Sequence, residues 1–186
     1  MTKIWSKIIF KMARSIHERA EFLGDAIFAA SDGIVTTFAI VAGSAGASLT
    51  KEIVLILGFA NLFADGFSMA SGRYLAVKSE IEYEKAKGKN ETHEGSPLRH
   101  ALITFVAFDI AGLVSLIPFV LGLDSPYVLS TILVGLALFT VGFLRSFYTK
   151  KNFITSGVEM FTVGGFAAFV AFFVGYLLEH FVLKKP

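Results

Sequence analysis

The chain has 186 residues, 54% hydrophobic and 17% charged, with a net charge of +2 and a mean hydropathy of +0.66. A soluble domain usually carries about 25% charged residues; here the charges gather in short clusters between apolar runs of roughly twenty residues, enough to cross a hydrocarbon core about 30 Å thick. So small a net charge excludes a nucleic-acid binder, and the lack of cysteine excludes a disulfide framework or a thiolate metal site.

Residues 1–23 mix Lys3, Lys7, Lys11, Arg14 and Arg19 with Ile4, Trp5, Ile8, Ile9, Phe10 and Met12 at near-helical spacing. That pattern predicts an amphipathic helix on a membrane surface, and its polar, basic character predicts no cleavable signal peptide. The first span is predicted over residues 25–47 and the second over 53–77, with Lys51 and Glu52 as the turn between them. Residues 78–99, dense in Glu and Lys and ended by Gly95, Ser96 and Pro97, form a short polar connection. The third span covers residues 100–123, where Pro118 lacks a backbone donor and should kink or end the helix. After a turn at Asp124, Ser125 and Pro126, the fourth span covers 127–148 and the fifth 158–181. The 20 phenylalanines fall mostly within these runs, where they suit lipid or helix contacts. The expected fold is a single all-α integral membrane domain over residues 1–186, with five transmembrane helices after the amphipathic N-terminal one.

Lys and Arg in short loops resist translocation. One side receives the basic N-terminus, Lys85, Lys87, Lys89 and the Arg145/Lys150/Lys151 loop; the other receives Lys51, the Asp124 turn, Lys184 and Lys185. The first side is expected to be cytoplasmic, and an odd number of spans then puts the C-terminus outside.

Carboxylates in membrane spans are costly and by default mark a pathway or relay. Asp25 and Asp32 are seven residues apart and share a face of the first span. In the second, Asn61, Asp65, Met69 and Arg73 recur every four residues, with Ser68 beside them. Carboxylates, an amide oxygen and a thioether suit a borderline divalent cation, the sulfur favouring Fe²⁺ and later metals over Mg²⁺ or Ca²⁺. Other roles stay open: Asp65 pairs with Arg73 or Arg145 as a buried ion pair, Met69 is a packing residue, or Asp25 caps its helix. Asp32, deep in its span with no cation on the same helix, is the residue a structural role explains least. Small residues along both spans, among them Gly33, Gly43, Gly46, Gly58 and Gly66, imply that these two helices pack closely. Glu80 and Glu84, with His17, Glu21, Glu91, His93 and Glu94, form either an acidic vestibule or an ordinary solvated surface.

The run from Ser31 to Ala39 (SDGIVTTFA) and the run from Ser68 to Glu80 (SMASGRYLAVKSE) resemble the two signature segments of the vacuolar iron transporter family. The similarity continues through Pro97–Ala101, Leu116–Phe119 and Gly164–Ala168. It implies a five-helix protomer that dimerises around a cation pathway and moves Fe²⁺, often with Mn²⁺, out of the cytoplasm in exchange for protons. By position, Asp25, Asp32 and Met69 match pathway residues, and Glu80 matches an acidic residue at the cytoplasmic end of the second helix. Three departures stand out. Residues 78–99 are too short for the metal-binding domain that many members carry. Asn61 stands where a Glu is common, so Asp65, one turn on, either replaces that carboxylate or alters the pathway. Arg73 also stands where many members have Glu, and needs an acidic partner, for which Asp109 is a candidate.

The sequence thus points to proton-coupled transport, with metal ions and protons competing for the same carboxylates and no resident cofactor. Its partners are divalent ions, protons, the bilayer and a second copy. The rival reading is a non-transporting structural membrane protein on the same fold. An enzyme is not expected, since no Ser/His/Asp order and no His-x-x-x-His occurs, and no nucleotide-binding loop suggests ATP-driven pumping. The setting is a cell membrane if the source is prokaryotic and a vacuolar-type membrane if it is eukaryotic.

Overall fold

The computed structural model describes the backbone of residues 2–88 and 96–183 and the side chains of residues 18–88 and 96–182. The expectations placed on His17, Glu91, His93, Glu94, Lys184, Lys185 and the side chains of the basic N-terminal segment lie outside these. The elements are α1 (Thr2–Gly46), α2 (Lys51–Ala86), α3 (Pro97–Val120), α4 (Pro126–Thr149) and α5 (Phe153–Leu178), the last running into a π-helical turn, Glu179–Leu183. Five segments, one in each helix, are long and apolar enough to cross a membrane, as the hydropathy pattern predicts.

Two local expectations change. The N-terminal segment is no separate amphipathic element: α1 runs without a break for 45 residues. At the expected boundary, Gly24 costs about 1 kcal/mol against Ala, too little to end so long a helix. Lys51 and Glu52 belong to the first turn of α2, not to the preceding loop. Thr50 is extended and stands at the N-cap, and an acidic residue in the first turn suits the helix dipole. The reversal instead uses Ser48 at φ +53°. At the other expected break, α3 stops at Val120, two residues past Pro118, and Gly122 at φ +62° closes the turn.

The glycines place the helices, though not as expected. α1 and α2 touch each other little; α3 lies against both as their main partner. A Cβ on Gly33 would come within 2.3 Å of the Phe108 carbonyl oxygen on α3, and one on Gly66 within 2.8 Å of Asp109 Oδ2 on the same helix. Gly46 meets the backbone of Phe172 on α5, where a Cβ would sit 2.1 Å from its oxygen. The small faces of α1 and α2 thus receive α3 and α5 rather than one another, because backbones approach most closely where neither helix carries a bulky side chain. Between them lies an apolar core that includes Ile34, Phe38, Val54, Leu116 and Leu138. Outside it the surface is hydrocarbon-like, with Phe28, Phe67, Phe166 and Phe169 all exposed. Only 11% of the apolar window of α5 is buried, so that helix presents most of its surface to lipid or another protein.

Several side-chain hydroxyls within the spans find backbone carbonyls inside the bundle. Ser31, Thr36, Thr140 and Thr162 each donate to the carbonyl four residues back. Ser130 on α4 donates to Ser115 O on α3 at 2.7 Å, and Tyr127 donates across to Leu49 O at 2.9 Å while its ring meets Phe119 edge-on. Tyr127→Phe keeps that ring contact and loses only the hydroxyl bond. It is expected to lower stability by about 1 kcal/mol, measured by SDS-induced unfolding of the purified protein.

Candidate functional site

Asp32 lies inside the apolar part of α1 and Met69 inside that of α2, and the fold brings them together. They line one cavity of about 330 Å³ with Asp25 and Phe28 of α1, Arg73 of α2 and Thr104 of α3. Two larger hollows, of about 690 and 1,120 Å³, lie beside α1, α3 and α4. Their walls are mainly aliphatic and aromatic and contain no carboxylate, so they suit lipid chains better than an ion.

The cavity collects half of the sequence-predicted set. Asp25, Asp32 and Met69 line it; Asn61, Asp65 and Glu80 do not. Residues four apart drift about 40° around a helix per step, so over the three steps from Asn61 to Arg73 the stripe turns through about 120°. Only its Met69–Arg73 end faces the cavity. Asp65 is nevertheless close enough to Asp32 for their negative charges to interact. Asn61 lies about 12 Å along the axis from Met69, and its Nδ2 is buried without a hydrogen-bond partner. Glu80 is exposed, about 16 Å from Met69 in the opposite direction. Met69 does two jobs, packing against the Ala29–Leu62–Phe108 cluster while lining the cavity.

The ion pairs answer the questions the sequence left open. Arg73 pairs with Asp25, its Nε lying 2.7 Å from Oδ1, and not with Asp65 or Asp109. Arg145 lies 3.5 Å from Glu159, so neither arginine neutralises Asp65. Asp25 is no helix cap, because α1 begins at Thr2 and carries Asp25 in its interior. Its second oxygen meets Nδ1 of His100 at 2.5 Å. His100 is 1% exposed and stacks on Phe22 with ring centroids 4.3 Å apart.

Sequence reasoning missed His100 and Thr104 as site residues. They lie four apart on α3, and the available signal was that shared face just inside a span, not any metal-ligand spacing. Asp109 is also buried on α3, against Gly66, and neither of its oxygens has a hydrogen-bond partner. Among the described residues no group of three or more His, Asp or Glu side chains is arranged to hold a metal ion. One chain therefore offers a carboxylate-and-thioether wall rather than a closed coordination sphere.

Comparison with known proteins decides the lineage. The model of the VIT family matches residues 23–95 and 87–176, from the start of the first span into α5. The chain belongs to the VIT family. It is 26% identical to the vacuolar iron transporter of Toxoplasma gondii, over 86% of this chain and 75% of that protein. It is 25% identical to vacuolar iron transporter 1 of Arabidopsis thaliana, over 86% of this chain and 87% of that one. Against vacuolar iron transporter homolog 3 of the same plant it is 29% identical, over 81% and 80%. The Toxoplasma alignment runs to 227 positions against the 186 residues here, so that VIT relative carries residues with no counterpart in this chain. With homologues over most of its length and five apolar spans, this VIT-family chain is a multi-pass membrane protein and not an enzyme.

Proposed function

We propose that the chain transports Fe²⁺, and also Mn²⁺, out of the cytoplasm in exchange for protons, working as a homodimer. The observation that carries this reading is the cavity itself, which joins Asp32, Met69 and Asp25 within the apolar spans of a protein whose relatives are named iron transporters. A membrane-embedded carboxylate with no cationic partner is unfavourable unless it handles ions, and Asp32 has none among the described residues. The Met69 thioether adds a soft donor that favours Fe²⁺ over Mg²⁺.

Orientation follows from the charges. Lys78, Lys85, Lys87, Arg99, Arg145, Lys150 and Lys151 all lie at one end of the bundle and Lys51 at the other, which supports a cytoplasmic first end. A metal ion would pass Glu80 on α2, reach Asp25, and move inward to Asp32 and Met69, with Asp65 adding negative charge and Asn61 an amide oxygen further along. Protons and metal ions compete for the same carboxylates, so protonation from the far side releases the metal and links the two fluxes without a nucleotide. A single wall of ligands supports the dimer: a second copy facing the first would complete the coordination that one chain leaves open.

The rival is a structural protein on the VIT fold. Asp25 favours it, since both of its oxygens are already engaged. Liposomes containing the purified protein and a metal-quenched dye separate the two. Transport predicts Fe²⁺ and Mn²⁺ quenching that grows when a pH gradient is imposed. Quenching no greater than in protein-free liposomes, from protein shown to be folded, would leave the structural reading.

A further inference from the structure

We propose that Arg73 is a tethered counter-cation of the pathway, which a divalent ion must displace from Asp25 before it can use that carboxylate. The inference rests on the transport reading and adds to it a residue that sets affinity and charge selectivity at the entrance. Arg73 and Asp25 line the same cavity as Asp32 and Met69, so the guanidinium lies beside the first carboxylate an incoming ion would meet inside that cavity. Nε is 2.7 Å from Oδ1, yet its N–H is not aligned for a hydrogen bond, which makes the contact chiefly Coulombic. The two partners of Asp25 also differ in freedom. His100 is sealed at 1% exposure and stacked on Phe22, whereas the Arg73 side chain is 26% exposed on a long, flexible stem. His100 therefore keeps the carboxylate in place while Arg73 can swing away.

Charge discriminates between incoming ions. A monovalent ion replacing the guanidinium exchanges one positive charge for one and gains little. A divalent ion brings twice the charge to a wall that also holds Asp32, with Asp65 near it. The exchange therefore favours divalent over monovalent cations, at a cost in affinity. A site that is competent only in the fraction of molecules where the competitor has moved binds more weakly by that same fraction.

The test is calorimetric titration of the full-length protein in detergent with Mn²⁺ alone. Arg73→Gln is expected to bind about tenfold more tightly than wild type. Arg73→Lys, which keeps the charge, should stay near wild type, and the gain should vanish in Arg73→Gln combined with Asp25→Asn. Binding that needs Asp32 but is indifferent to Arg73→Gln overturns the inference and leaves the transport reading standing. No binding by wild type or Arg73→Gln overturns both. Should Arg73→Gln fail to fold, the wild-type protein labelled with ¹⁵N-arginine supplies the answer by NMR. The Arg73 Nε–H resonance, assigned through its loss in Arg73→Lys, should shift in step with saturation by diamagnetic Zn²⁺. A resonance unmoved at saturation makes the ion pair purely structural and overturns the proposal.

Discussion

Asp32→Ala is expected to abolish metal entry into liposomes, with the initial rate falling about a hundredfold or more, while the protein folds as well as wild type. Loss of even an outer-shell partner commonly costs about 10–100-fold in metal affinity or activity, and Asp32 is proposed as a direct ligand. The stability half of the prediction follows from what Asp32 does not hold. Its backbone carbonyl accepts the Thr36 hydroxyl, a bond that Ala preserves, and no cation is left orphaned when the carboxylate goes. A charged residue at mid-helix costs about 2.5–3.5 kcal/mol on insertion scales, so its removal should leave the thermal midpoint unchanged or raise it. A structural carboxylate would show the opposite pair of results. Asp32→Ala protein that transports at the wild-type rate would remove Asp32 from the pathway.

Gly33→Ala, one residue away, should do the reverse and act through the fold. The added methyl would meet the Phe108 backbone, 2.3 Å from its oxygen and 3.0 Å from its carbonyl carbon. No rotamer change relieves a clash with backbone, so α1 and α3 must separate along the interface on which both depend. Overpacking of this kind costs about 3 kcal/mol or more when the neighbour cannot yield. The expected result is a clear fall in thermal midpoint in detergent, with transport reduced because Asp32 and Thr104 stand on the two helices forced apart. Gly165→Ala is the control: a Cβ there meets nothing within 4 Å, and the change should stay within about 0.5 kcal/mol of wild type. Equal midpoints for the two variants would show that the α1–α3 contact is looser than the glycine geometry implies.

Part of the site is legible in the amino-acid sequence. Asp25 and Asp32 share a helix face by spacing alone, and Met69 with Arg73 shares another. The four cavity residues on α1 and α2 that carry polar or soft atoms therefore all stand out as such groups inside apolar runs. Which of them are engaged does not show in the spacing. Asp109 is a candidate partner for Arg73 in the sequence, yet the pair forms with Asp25, and Asp109 instead packs over Gly66 without a hydrogen bond. The stripe from Asn61 to Arg73 also reads as one unit, but the drift of successive i,i+4 steps turns its first half from the cavity.

Sequence alone determined the class, the five spans, the helix stop near Pro118 and the charge asymmetry between the two ends. Each rests on a one-dimensional quantity: hydropathy over a window the thickness of a bilayer, a missing backbone donor, or a tally of Lys and Arg. Tertiary structure alone decided that α3 wedges against both α1 and α2, that His100 and Thr104 join the site, and that Arg73 neutralises Asp25. Those outcomes depend on which helix faces meet. In a chain whose helices are apolar nearly all round, periodicity does not mark the facing side. Close backbone approach at Gly33 and Gly46 marks it instead, and that is a property of pairs of helices, not of either one read by itself.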